Sequence, residues 1–154
     1  MNPRALRGAT GLTLGLSAIE EGDERFRPAA SLAGQWGDEW WTQLQIYGRR
    51  QKPASQTTYL LGGGRSYGIF GSKNLMARVG LALASESTTI ARSDGDDKAT
   101  NTNVGLYLGL SYQSSSRVYL TIDWGSAVFP AGLSLIFLST ARKQNITAGV
   151  GWHL

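Results

Sequence analysis

The 154-residue sequence contains no cysteine and a single histidine, His153. That excludes disulfides, thiolate metal sites and cysteine nucleophiles, and leaves no material for a zinc centre or a histidine relay, so neither a metal nor a cofactor is expected. Charged residues make up only 17% of the chain, against a usual value of about 25%. Long apolar runs are also missing. The longest uncharged stretch, Trp124 to Ala141, is interrupted by Gly125, Pro130, Gly132 and three serines, which argues against a spanning helix of about 20 apolar residues. Met1 to Arg7 leads into Gly8-Ala9-Thr10-Gly11, too polar for the apolar run of a secretory signal, so the chain reads as a mature or excised domain. The net charge of +4 is spread over scattered basic residues, with no helix-borne stripe, and no nucleic-acid partner is expected.

What the chain does have is glycine, 20 residues of it, and 42% apolar residues arranged with a period of two. Alternation of this kind marks strands with two unlike faces. From Leu6 to Ala18 the even positions are Leu6, Gly8, Thr10, Leu12, Leu14, Leu16 and Ala18, and the odd ones are small or polar. Pro28–Trp36 sets Ala30, Leu32 and Trp36 against Ser31, Ala33 and Gln35, and after the Gly37-Asp38-Glu39 turn Trp40–Gly48 sets Leu44 and Ile46 against Gln43, Gln45 and Tyr47. A fourth strand covers about Thr57–Gly64, with Tyr59 and Leu61 on one side. Leu75–Ser85, Asn103–Tyr112, a strand from Val118 through Trp124, and Asn145–Leu154 complete the set, all with an apolar face opposite one that is mostly small or polar, with Arg78, Tyr107, Tyr119, Asp123 and His153 among its residues. Longer connections, Glu20–Arg27, Arg50–Gln56, Glu86–Thr102 and Ser126–Gln144, alternate with short ones, so long loops gather at one end.

Alternation alone fits either a membrane barrel or a soluble lipocalin-like one. The polar face decides. It is mostly Gly, Ala, Ser, Thr, Gln and Tyr, and the charges on the strands, Arg7, Arg49, Arg78, Glu86 and Asp123, all share its parity. A soluble barrel would cover its outside with Lys, Glu and Asp, whereas a midplane Arg or Lys facing lipid costs about 2–4 kcal/mol. Trp36, Trp40, Tyr112 and Trp152 fall on the apolar face near the short-turn end and Trp124 near the long-loop end, the spacing of interfacial aromatic girdles.

The last residues, Thr147, Gly149, Trp152 and Leu154 in Thr147-Ala148-Gly149-Val150-Gly151-Trp152-His153-Leu154, resemble the C-terminal signal by which Gram-negative outer-membrane barrels are recognised by the barrel assembly machinery, with Leu154 where that family usually has Phe. The resemblance implies an all-β, antiparallel, up-and-down transmembrane β-barrel in the bacterial outer membrane, a single domain over residues 1–154 and a monomer, with outer-membrane lipids including lipopolysaccharide and the assembly machinery as partners. Eight strands are expected. The ten-strand alternative uses the apolar window 129–138 as a span and splits Thr57–Lys73, which is too short for two spans of about 9–11 residues.

An eight-stranded barrel is just wide enough for its side chains to fill. Arg7, Arg49, Arg78, Glu86 and Asp123, with Tyr47, Tyr107 and Tyr119, are therefore expected to form an internal network of ion pairs and hydrogen bonds. Arg49, Arg50, Lys52, Arg142 and Lys143 are assigned to outer loops, where lipopolysaccharide phosphates are their candidate partners. Asp94, Asp96 and Asp97 lack the regular spacing of a calcium loop. His153, the only candidate imidazole base, sits at the end of the last strand, away from the long loops. The leading reading is a non-enzymatic barrel with a structural or surface-interaction role or limited small-solute passage. The alternatives are a lipid A-modifying enzyme and a soluble ligand carrier.

Overall fold

The computed structural model describes residues 10–21, 26–37, 39–72, 74–130 and 140–154. They form eight antiparallel strands closed into one barrel in sequence order: β1 (Gly11–Glu21), β2 (Arg27–Trp36), β3 (Trp40–Gln51), β4 (Ala54–Gly68), β5 (Leu75–Arg92), β6 (Gly95–Gln113), β7 (Val118–Pro130) and β8 (Thr140–His153). The seam pairs β1 with β8 from Gly11 opposite His153 to Glu21 opposite Lys143, so no strand edge is left at the closure. Thr57–Lys73 is not split, because Ala54–Gly68 is one continuous strand. Of the 129–138 window, Phe129 and Pro130 end β7, and the remainder lies outside the described residues, as do Leu6 to Ala9 of the expected first strand.

Lipid-facing surface is written directly in the exposure of the aliphatics. Leu16, Leu81, Leu106, Leu108, Leu120 and Ile122 are all exposed, while Thr13, Ser31, Gln43, Gln45, Ser111 and Thr147 are buried. This is the inverse of a soluble barrel, and it removes the lipocalin-like alternative. On β5 the outward aliphatics run from Leu75 to Leu83, and on β6 from Val104 to Leu110 with Tyr112 beyond. Each face is about the 9–11 residues that one span requires.

The strands continue past that band at the end where long loops were expected. The segments Arg50–Gln56 and Glu86–Thr102 are not loops: β3 and β4 close through Lys52-Pro53, and β5 and β6 through Ser93-Asp94. Ser85, Ser87 and Thr89 pair with Thr102, Thr100 and Lys98, so the ladder persists with polar side chains on both faces. Threonine favours strands whatever solvates it, but once both faces meet water the apolar period vanishes and the sequence reads as a loop. At about 3.3 Å per residue the 18 residues of β5 extend roughly 60 Å along the strand, well beyond a tilted crossing of the membrane.

At the other end the turns are Gly37 to Glu39, Ile69 to Asn74 and Ser114 to Arg117, matching the short periplasmic turns of bacterial barrels. Gly64 and Gly80 face each other between β4 and β5, and a Cβ on either would run into the partner strand's backbone. Their bare backbones let these two strands approach closely and the wall turn there.

Candidate functional site

The odd positions of β1, β2, β3, β6, β7 and β8 and the even ones of β4 and β5 point inward and fill the lumen in layers. Lowest lies His153, whose ring is 4.7 Å from that of Tyr119 and whose Nε2 is 3.4 Å from Gln113 Nε2. Tyr119 lies over Gly151, where a Cβ would collide with its ring, and its hydroxyl accepts from Thr13 Oγ1 at 3.1 Å. Glycine on one strand thus makes room for the aromatic of the next.

Above this sits the first ion pair. Arg78 on β5 donates to Asp123 on β7 at 3.1 Å, with side chains only 6% and 3% exposed. The guanidinium lies 5.6 Å from the centre of the Trp41 ring, which in turn is 4.7 Å from the ring of Tyr107. Charge delocalised over a planar cation is well placed against an aromatic face, and Trp41 anchors itself by donating from Nε1 to Arg65 O at 3.1 Å.

The middle layer is neutral. Gln45 Nε2 donates to Ser17 Oγ at 2.9 Å and to Thr147 Oγ1 at 3.1 Å, and those two hydroxyls are 2.7 Å apart. Gln43 reaches Ser31 and Thr147, and the Tyr107 hydroxyl donates to Gln43 Oε1 at 3.4 Å. Tyr107 lies across Gly125, where a Cβ would strike its hydroxyl.

Towards the outer mouth is a second pair, Lys143 with Glu86, in which the ammonium also donates to Tyr47 Oη at 3.0 Å. The assignment of Lys143 to an outer loop is therefore corrected. Its odd parity on β8 turns it inward, and its side chain is 4% exposed. Arg49, Ala54, Gln56 and Thr88 line a shallow recess at the mouth, and Arg49 and Arg50 both lie on β3 instead of a loop. Arg50 and Lys52 are exposed at the β3–β4 tip. Arg142 belongs to β8, and Arg7 lies outside the described residues.

On the outside, Trp36, Trp40, Tyr112 and Trp124 are exposed and Trp152 is half-buried. Trp124 sits between Leu110 and Ile146, within the apolar band instead of at its outer rim. The outer rim of β4 instead carries Tyr59. Thr147 and Gly149 of the C-terminal motif face the lumen, where Thr147 belongs to the middle layer, and Leu154 N donates to Thr10 O at 2.8 Å.

Three features escaped sequence reasoning. Trp41 is a lumen plug, and its odd parity on β3 was the available signal. Arg65 faces outward, paired with Glu39 and 5.4 Å from the Trp40 ring. Arg92 pairs with Asp97 at 3.0 Å on the outer hairpin. No group of three His, Asp or Glu side chains is placed to hold a metal among the described residues.

No family model matches the chain, and no curated protein does. Solved structures do. Ail of Yersinia pestis shares 12% identity at a TM-score of 0.63, with 96% of this chain and 99% of that one covered. The N-terminal β-barrel domain of Pseudomonas aeruginosa OprF shares 12% at 0.59, covering 95% and 98%. Neisserial surface protein A shares 15% at 0.54, covering 94% and 96%. Closed topology, lipid-facing band and these likenesses together define a small eight-stranded transmembrane β-barrel with the fold of bacterial outer-membrane proteins.

Proposed function

We propose that this is a closed, non-enzymatic barrel that acts at the cell surface, using its membrane-spanning half as a rigid mount and its outer strand extensions as the interacting part. The observation that carries the reading is the filling of the lumen. Arg78–Asp123, the Gln43–Gln45–Thr147 layer and Lys143–Glu86 succeed one another across the interior. A hydrated ion following this path would have to break paired charges in a medium of low dielectric, where each stripped partner is strongly unfavourable.

Exposed Arg50 and Lys52 at the β3–β4 tip are suited to the phosphates of lipopolysaccharide, since Arg in particular can engage them through two donors at once. Planar-bilayer recordings test the closed state. Purified protein is expected to give no discrete conductance steps at neutral pH, and stable, reproducible steps would replace this reading with small-solute passage.

A further inference from the structure

The β4–β5 turn contains a residue that the turn does not call for. Ser72 N donates to Ile69 O at 2.9 Å, and the two residues between, Phe70 and Gly71, have φ of 53° and 70°. Two successive positive φ values characterise a type I′ turn, whose corners favour Gly, Asn and Asp. Gly71 conforms. Phe70 does not, and among the described residues it is the only one other than glycine with positive φ.

The ring also packs against nothing among the described residues, being 99% exposed. Asparagine would close the same turn with less strain, so neither local geometry nor internal packing accounts for the aromatic. Backbone strain held at an exposed site points to an interaction outside the chain.

Position identifies the partner. Ile69 N donates to Leu75 O at 3.0 Å, and Leu75 lies opposite Tyr112 on β6. Tyr67 faces outward on the preceding strand, with the Arg65 guanidinium 5.9 Å from its ring. Phe70 is three positions beyond Tyr67, which at about 3.3 Å per position and a tilt of about 40° places the turn roughly 8 Å beyond that aromatic belt. The headgroup layer is itself about 5–8 Å thick. We propose that Phe70 is a lipid anchor, its ring seated among the phospholipid headgroups of the periplasmic leaflet. This rests on the membrane-barrel reading with short turns at the periplasmic end.

Because the chain has no cysteine, single substitutions give unique labelling sites. Spin labels at Phe70→Cys, Ser115→Cys in the β6–β7 turn and Leu108→Cys in the apolar band would be compared in phosphatidylcholine–phosphatidylglycerol vesicles. The label at 70 is expected to collide at least threefold more with oxygen, relative to a water-soluble nickel chelate, than the label at 115. Equal nickel access at 70 and 115 would overturn the proposal in favour of a periplasmic solute or protein partner. Nickel access at 108 would instead overturn the membrane reading itself. Phe70→Asn adds a second arm: its unfolding midpoint in detergent micelles is expected to match or exceed that of the native protein, and a lower midpoint would show that the ring serves the turn and not the lipid.

Discussion

The inner and outer halves of the lumen use the same chemistry at different depths. Arg78–Asp123 is enclosed, with Trp41 over the guanidinium and both side chains nearly inaccessible, whereas in Lys143–Glu86 the carboxylate keeps 21% exposure and the ammonium has a second partner in Tyr47. Burial decides what such a pair contributes. A paired buried charge adds little net stability, but removing one member leaves the other unpaired, at about 3–5 kcal/mol. The inner pair is therefore a structural plug that fails when halved, and the outer pair tolerates change.

The largest expected effect follows directly. Asp123→Ala should lower stability by about 3–5 kcal/mol, read as a fall in the urea midpoint for unfolding from micelles. The double variant Arg78→Met with Asp123→Leu should recover most of that loss, because no uncompensated charge remains. A loss below about 1 kcal/mol for Asp123→Ala, the range of an exposed pair, would abolish the distinction between the two halves.

The next effect concerns the wall around the inner half. Leu108 is exposed on β6 between Leu106 and Leu110, and Leu108→Arg should lower stability by about 2–4 kcal/mol as a cation facing lipid near mid-span. Equilibrium folding into vesicles measures this, and a cost within about 0.5 kcal/mol would place Leu108 in water. This part of the fold was legible in the sequence because one face of each strand meets hydrocarbon and the other a narrow interior, which forces the period of two. Val104 to Leu110 and Leu75 to Leu83 show it without interruption.

The outer half is not legible for the same reason in reverse. Beyond the Glu86 pair, Ala91 to Thr102 is exposed on both faces, nothing enforces alternation, and the apolar period marks only the membrane parts of β5 and β6. Lys143 is affected in the same way: a β8 begun at Asn145 leaves it in a loop, whereas the strand begins at Thr140. Trp41 shows a different limit. Adjacent Trp40 and Trp41 look alike in composition, and only strand parity sends one to lipid and the other into the lumen. Pairings such as Arg78 with Asp123 depend on register around the barrel, which a single sequence does not display.

A smaller effect tests the outer pair. Glu86→Gln removes the carboxylate charge but keeps an acceptor for Lys143, which also retains Tyr47. The expected loss is about 1–2 kcal/mol, between the values for exposed and enclosed pairs, and 1 M salt should narrow the difference from native, because the mouth is partly solvated. A loss matching that of Asp123→Ala, insensitive to salt, would show the outer half to be as sealed as the inner.

The smallest effect locates the boundary between the halves on the outer wall. Thr100 is exposed on β6, opposite Ser87, and has the same outward parity as Leu108. Strand geometry alone does not distinguish the two positions; only the surrounding solvent does. Thr100→Arg should therefore change stability by no more than about 0.5 kcal/mol, as for a substitution in water, while the identical side chain at 108 costs several times more. Because β5 and β6 remain hydrogen-bonded from Leu75–Tyr112 to Arg92–Gly95, an arginine moved outward along the even positions of β6 probes depth at a nearly constant backbone. Its cost should fall from Leu106 through Val104 to Thr102, and a plateau that persisted to Thr100 would put the outer extension inside the membrane and leave the barrel without a projecting surface.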